Sequence, residues 1–166
     1  MKGMLLTAAA VAAVLSGGSA QAQPTDCSDQ RTAISRVLAD YRGSIERLDA
    51  RGTERLFVTD SAIFENGGVE GNYANYLAHH LGPELGHFRS FRFSDHRLDL
   101  WCEGAALAVA TETYNYRIER TEGEPIERRG VTTSVLRRSA EGWRIVNMHG
   151  SSRAPRPAPA AAAPRN

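Results

Sequence analysis

Between Asp29 and Arg51 the apolar residues Ile34, Val37, Leu38, Tyr41, Ile45 and Leu48 fall three and four apart, the spacing of one buried helix face. Ser28 or Asp29 supplies a cap at its start, Gly52 lies just past its end, and Gly43 inside it costs some helicity. Thr53 to Val58 reads as a short helix that buries Leu56 and Phe57. A strand from Ser61 to Glu65 follows, closed by the loop Asn66-Gly67-Gly68. A second helical stretch runs from Asn72 to about Leu81, with Tyr73, Tyr76, Leu77 and His80 on one side, and Gly82-Pro83 stops it.

From Phe88 onward the period changes to two. Phe88 to Cys102 and Ala105 to Glu119 are extended segments, and Glu127 to Ser152 reads as a β-hairpin with its turn at Ser139 to Gly142. Strict alternation puts Trp143, Ile145, Asn147 and His149 on one face, and Arg144, Val146 and Met148 on the other. Helices come first, one strand lies between them, and consecutive antiparallel strands follow. That order is α+β, and its economical packing is a strongly bent sheet wrapped around the long first helix.

The ends of the chain differ from the middle. Lys2, the apolar run Met4 to Leu15 and the small residues ending at Ala22 fit a secretory signal over residues 1–22, which predicts a periplasmic or secreted protein. The run is shorter than the roughly 20 residues a bilayer needs, so no membrane anchor is expected. Residues 153–166 form an Ala- and Pro-rich tail with little to bury. Residues 23–152 remain as one domain with one core.

Without Lys2 and the tail arginines the central region is near −3, and no dense basic face stands out, so nucleic acid is not an expected partner. Lys2 is the only lysine, which removes Schiff-base chemistry from the mature chain. No cofactor is indicated: the chain lacks a glycine-rich phosphate loop, a Gly-x-Ser-x-Gly elbow and a Cys-x-x-Cys pair. Cys27 and Cys102 leave two readings open, one disulfide or two unrelated thiols.

The step Leu56-Phe57-x-x-Asp60-Ser61-Ala62-x-Phe64 and the closing Gly142-Trp143-Arg144-Ile145-Val146-Asn147-Met148-His149 resemble the nuclear transport factor 2-like superfamily, particularly its SnoaL-like branch. The final strand with its His149-Gly150-Ser151-Ser152 ending is also similar to the association domain of calcium/calmodulin-dependent protein kinase II. The resemblance implies a cone-shaped α+β barrel, a strongly curved, mostly antiparallel sheet around the N-terminal helix, enclosing a cavity and often forming a homodimer. It does not select among isomerases, cyclases, dehydratases and non-catalytic modules. Aligned with the ketosteroid isomerases of the superfamily, the position of their aspartate base falls on Asn66, with Glu65 just before it, and Tyr41 lies about a turn early on the right helix. That mechanism would need Glu65 or another acid as its base.

Three constellations carry possible chemistry. Glu112, Tyr114 and Tyr116 share a strand face with Ala108 and Ala110. On a concave face they offer a base and two hydrogen-bond donors; on a convex one they are solvated, with the tyrosines at a dimer contact. Arg129 is a carboxylate binder or an ordinary ion-pair partner, Asn147 a polar group beside the cavity, and His149 an acid/base group or a hydrogen-bonded structural residue. His79, His80, Glu84 and His87 have metal-ligand composition, but Gly82-Pro83 breaks the register that would align them.

The expectation is therefore an exported domain that binds a small, largely apolar organic molecule. Acid/base catalysis of an isomerase, dehydratase or cyclase type would draw on Glu65, Glu112 and His149, with Tyr41, Asn66, Tyr114, Tyr116, Arg129 and Asn147 around the ligand. A non-catalytic binding or oligomerisation module and a periplasmic metal-binding protein are the alternatives.

Overall fold

A computed structural model describes residues 27–156. The expected signal segment 1–22 and the last ten residues of the expected tail lie outside the described residues. Helix α1 (Ser28–Glu46) buries Ile34, Leu38, Ser44 and Ile45, the face its periodicity predicts. It ends a turn before Arg51, because Leu48 adopts a left-handed φ of 55°. Gly52, at φ 74°, leads into a 3-10 turn (Thr53–Leu56), and Phe57 begins strand β1 (Phe57–Glu65) rather than continuing a helix.

Asn66 and Gly67 both take positive φ, the geometry of a two-residue hairpin turn. The stretch read as a terminating loop therefore returns as a short strand β2 (Gly68–Gly71) paired with β1. Asn72 caps helix α2 (Tyr73–Tyr76) by accepting the Asn75 N–H at 2.9 Å. Gly82-Pro83 does not stop this helix. A π turn (Leu77–Leu81) carries it into α3 (Gly82–Leu85). Proline lacks an N–H and crowds the preceding turn, and a widened turn relieves that conflict. The site also needs glycine, since a Cβ on Gly82 would lie 2.6 Å from the Leu77 carbonyl oxygen.

Strands β3 (Phe88–Glu103), β4 (Leu107–Arg120), β5 (Ile126–Ser139) and β6 (Gly142–Arg153) complete a six-stranded sheet of order β2-β1-β6-β5-β4-β3. The β1–β6 pair is parallel and the rest antiparallel. The sheet curves around α1 into a cone without closing, leaving β2 and β3 as its edges. Ile34 and Leu38 of α1 meet Leu136, Ile145, Trp143 and the small Ala108 and Ala110 in one core. Of the two readings of the cysteines, the disulfide is the one observed: Cys27 at the start of α1 is bonded to Cys102 near the end of β3.

Among the register shifts of the sheet, one in the middle of β3 and one in β6 change which side chains face inward. In β3, Ser94 pairs with Asn115 but Arg97 with Thr113, so β3 carries one extra residue there. Asp95 takes a φ of 52°, and the Asn115 amide donates to its carboxylate at 2.6 Å. The bulge puts His96, Leu98, Leu100 and Cys102 on the same side as Phe91 and Phe93. In β6, Ile145 pairs with Leu136 while Asn147 pairs with Val135, so Val146 is the extra residue. Trp143, Ile145 and Met148 consequently point inward and are buried. Asn147 and His149, expected beside Trp143 and Ile145, lie on the outer face instead, because alternation restarts after the bulge.

Candidate functional site

The concave face and the two helical segments enclose a cavity of about 140 Å³. Ile45, Leu81, Phe88, Phe91, Phe93 and Met148 form most of its wall, and Tyr41, Glu65, Tyr76, Glu84, Tyr114, Tyr116 and Ser152 bring polar atoms to it. A narrower recess of about 50 Å³ shares Tyr41, Ile45, Phe93, Tyr114, Thr132 and Met148 with it and ends on Leu38, Arg42, Glu112 and Ser134. Bulky residues at the wide end and Ala108, Ala110 and Ser134 at the narrow end give the hollow its taper.

At the wide end, Tyr76 donates its hydroxyl to Glu65 Oε2 at 2.6 Å. Burial pushes both the Tyr41 and Tyr76 phenols well above their ordinary range, and the negative charge of Glu65 adds to the effect. Tyr114 is raised by burial to about 12, its hydroxyl 2.7 Å from Thr132 Oγ1. Tyr116, also raised by burial, donates to Ser152 Oγ at 3.0 Å. All four phenols thus stay protonated at neutral pH and have a hydrogen to donate. Tyr114 keeps its place because Gly130 lies opposite: a Cβ there would come within 2.3 Å of the ring.

At the narrow end Glu112 is buried and paired. Its Oε1 accepts from Arg42 Nη1 at 2.6 Å and lies 2.8 Å from His96 Nε2. Arg42 comes from α1 and His96 from the strand segment that the Asp95 bulge turns inward. Neither was expected from the sequence, since they are 70 and 16 residues from Glu112 and no local motif joins them. Ser134 Oγ, also at this end, is buried with no hydrogen-bond partner among the described residues.

A family model for the SnoaL-like domain matches residues 34–155. The chain belongs to the SnoaL-like family. Its structure resembles a nuclear transport factor 2-like superfamily protein from Salmonella enterica serovar Typhimurium LT2, with a TM-score of 0.69 and 21% identity, covering 85% of this chain and 100% of that one. It also resembles a candidate scytalone dehydratase from Novosphingobium aromaticivorans DSM 12444 (TM-score 0.63, 15% identity, 76% and 85% covered). A candidate calcium/calmodulin-dependent protein kinase II association domain from Xanthomonas campestris scores 0.61 at 12% identity, with 72% and 85% covered. Likenesses this distant carry the fold, and the cone expected of the SnoaL-like branch is the one observed. No curated protein matches the chain.

Within this SnoaL-like domain, Tyr41, Glu65, Tyr114 and Tyr116 meet around the main cavity, and Glu112 lies at its narrow end. Asn66 is at the mouth, where its Oδ1 accepts the Ser152 N–H at 2.9 Å and so ties the β1–β2 turn to β6. Three expected residues lie elsewhere. His149 is exposed on the outer face with its ring edge-on to Phe64, and Asn147 shares that face. Arg129 is exposed beside Val131 and Arg153, because Gly130 and Thr132 take the inward positions of β5.

The histidine-rich helical segment of the SnoaL-like domain does not assemble as its composition suggests. His80 sits between two carboxylates, with Nδ1 3.0 Å from Glu70 and Nε2 3.3 Å from Glu84. His79 and His87 are exposed, and no group of three or more His, Cys, Asp or Glu among the described residues is arranged to hold a metal ion. Burial holds the His80 imidazole down, but its hydrogen bond to Glu70 and the charges of Glu84, Glu65 and Glu70 outweigh that and raise it above 6.5. A raised folded-state value stabilises the fold fully below the unfolded value and loses that contribution as pH rises through the folded one. His80→Gln is therefore expected to flatten the fall of the urea midpoint as pH rises above 6.5, the ordinary value for the group. An unchanged slope would show that the carboxylates do not hold the imidazolium.

No helix among the described residues is long and apolar enough to cross a membrane.

Proposed function

We propose that this SnoaL-like domain binds a small, largely apolar organic molecule in its cone and moves a proton on it, with Glu65 as the base. The supporting observation is the contrast between two carboxylates. Glu112 is tied to Arg42 and His96, whereas Glu65 reaches a mostly apolar cavity and takes a phenol hydroxyl as its hydrogen-bond partner among the described residues. A general base must first be within reach of the proton it takes, and of these two carboxylates Glu65 is the one that lines the main cavity.

In this reading Glu65 takes a proton from a carbon beside a ligand carbonyl, and the carbonyl oxygen gains charge as the proton leaves. Tyr41 and Tyr114, protonated through burial, donate hydrogen bonds to that oxygen. Returning the proton from Glu65 to a different carbon completes an isomerisation; delivering it instead to a hydroxyl on the neighbouring carbon, whose C–O bond breaks as the double bond forms, releases water and completes a dehydration. The cavity volume suits a molecule about the size of one ring, since an apolar cavity of about 150 Å³ takes benzene. The disulfide and the N-terminal apolar run together support export to an oxidising compartment.

The test is hydrogen–deuterium exchange at the carbon beside the carbonyl of cyclohexenones and related one-ring ketones, followed by proton NMR. The wild-type domain is expected to accelerate exchange, and Glu65→Gln to slow it about 100-fold, the size of effect a positioned general base produces. Binding of these ketones with no exchange that depends on Glu65 would reduce the domain to a non-catalytic carrier.

A further inference from the structure

We propose that the narrow end of the cone is a subsite for a hydroxyl group of the ligand, read by Ser134 and Glu112. This inference rests on the cavity being the ligand site and adds the orientation of the molecule within it. Ser134 projects from the concave side of β5 into the recess, is 1% exposed, and its Oγ has no hydrogen-bond partner among the described residues. Buried hydroxyls are ordinarily satisfied, so one left open on the wall of a hollow marks the place where something else completes the bond.

The recess is large enough for that group. Its volume of about 50 Å³ exceeds the roughly 30 Å³ share of one water and is too small for a ring. The chemistry of its end selects what enters. The Glu112 carboxylate accepts hydrogen bonds, so the incoming atom must carry a hydrogen to give to it. Ser134 supplies a hydrogen, so the same atom must also be able to accept one. A hydroxyl does both. A ketone oxygen or a methyl ether can take the hydrogen of Ser134 but has none to give to Glu112, and a carboxylate faces Glu112 with like charge. Arg42 on Oε1 holds the Glu112 carboxylate in place at the end of the recess. Tyr114 and Thr132 lie between this end and the wide chamber, so the ring of the ligand would rest against Phe93 and Met148 with its hydroxyl pointing away from Glu65.

The test compares phenol, anisole and toluene by titration calorimetry with the full domain. Phenol is expected to bind about tenfold more tightly than anisole or toluene. In Ser134→Ala that preference should shrink about tenfold while toluene affinity stays the same. The alanine variant removes an unsatisfied hydroxyl without adding bulk, and the ligand series on the unaltered protein gives the same answer without any variant. Equal affinity for phenol and toluene, or a preference that survives in Ser134→Ala, would overturn the subsite while leaving the cavity reading intact. No binding of any of the three rings would overturn both.

Discussion

Replacing Cys27 and Cys102 together with serine should lower the unfolding free energy by about 4 kcal/mol. The bridge spans 75 residues, and the loop-closure entropy it removes from the unfolded chain is of that size. Its position strengthens the expectation. Cys27 is the N-cap residue of α1 and makes no side-chain cap hydrogen bond among the described residues, and its bond to Cys102 ties the first turn of that helix to the sheet. Urea unfolding of the oxidised protein and of the double variant measures the loss directly. A difference under about 1 kcal/mol, well below the usual range for a native disulfide, would show that the bridge is not a main support of the fold.

The next largest effect is expected from Arg42→Met. Glu112 is buried, and removing the arginine leaves its carboxylate with the His96 ring as its remaining side-chain partner among the described residues. Breaking a buried ion pair on one side costs about 3–5 kcal/mol, and because Arg42 keeps part of its side chain in contact with solvent, about 2–3 kcal/mol is expected here. The double variant Arg42→Met with Glu112→Leu should recover most of the loss, since an apolar pair of similar volume is tolerated where a lone charge is not. Comparing the four proteins by urea unfolding gives the coupling energy. Additive losses would mean that the two side chains do not depend on each other.

The broad architecture was legible in the sequence because it rests on long repeated patterns. The three- and four-residue spacing of Ile34, Leu38 and Ile45 marks α1, and the alternation from Val131 to Arg137 with the turn at Ser139 to Gly142 marks the last hairpin. Glu65, Glu112, Tyr41 and Tyr114 were reachable as well, since they lie on segments whose inward face can be deduced or on the helix the sheet surrounds. The failures have a common cause. A bulge adds one residue without a strong compositional signal, and every side chain beyond it changes face. Counting by twos from Trp143 therefore placed Asn147 and His149 inward, and Val146 absorbs the difference. Arg42 and His96 escaped notice because they meet Glu112 only through the fold. Gly82-Pro83 reads locally as a stop, and the π turn that carries the helix past it depends on packing rather than on propensity.

The bulges at Asp95 and Val146 also bear on any comparison of this chain with another cone of the same fold. A gapless alignment across Asp95 or Val146, made against a strand that lacks the extra residue, pairs cavity positions with solvent positions from that point on. Transferring a polar group from one such cone to another therefore depends on matching strand phase first, and a single inserted or deleted residue exchanges an entire half-strand of the lining in one step.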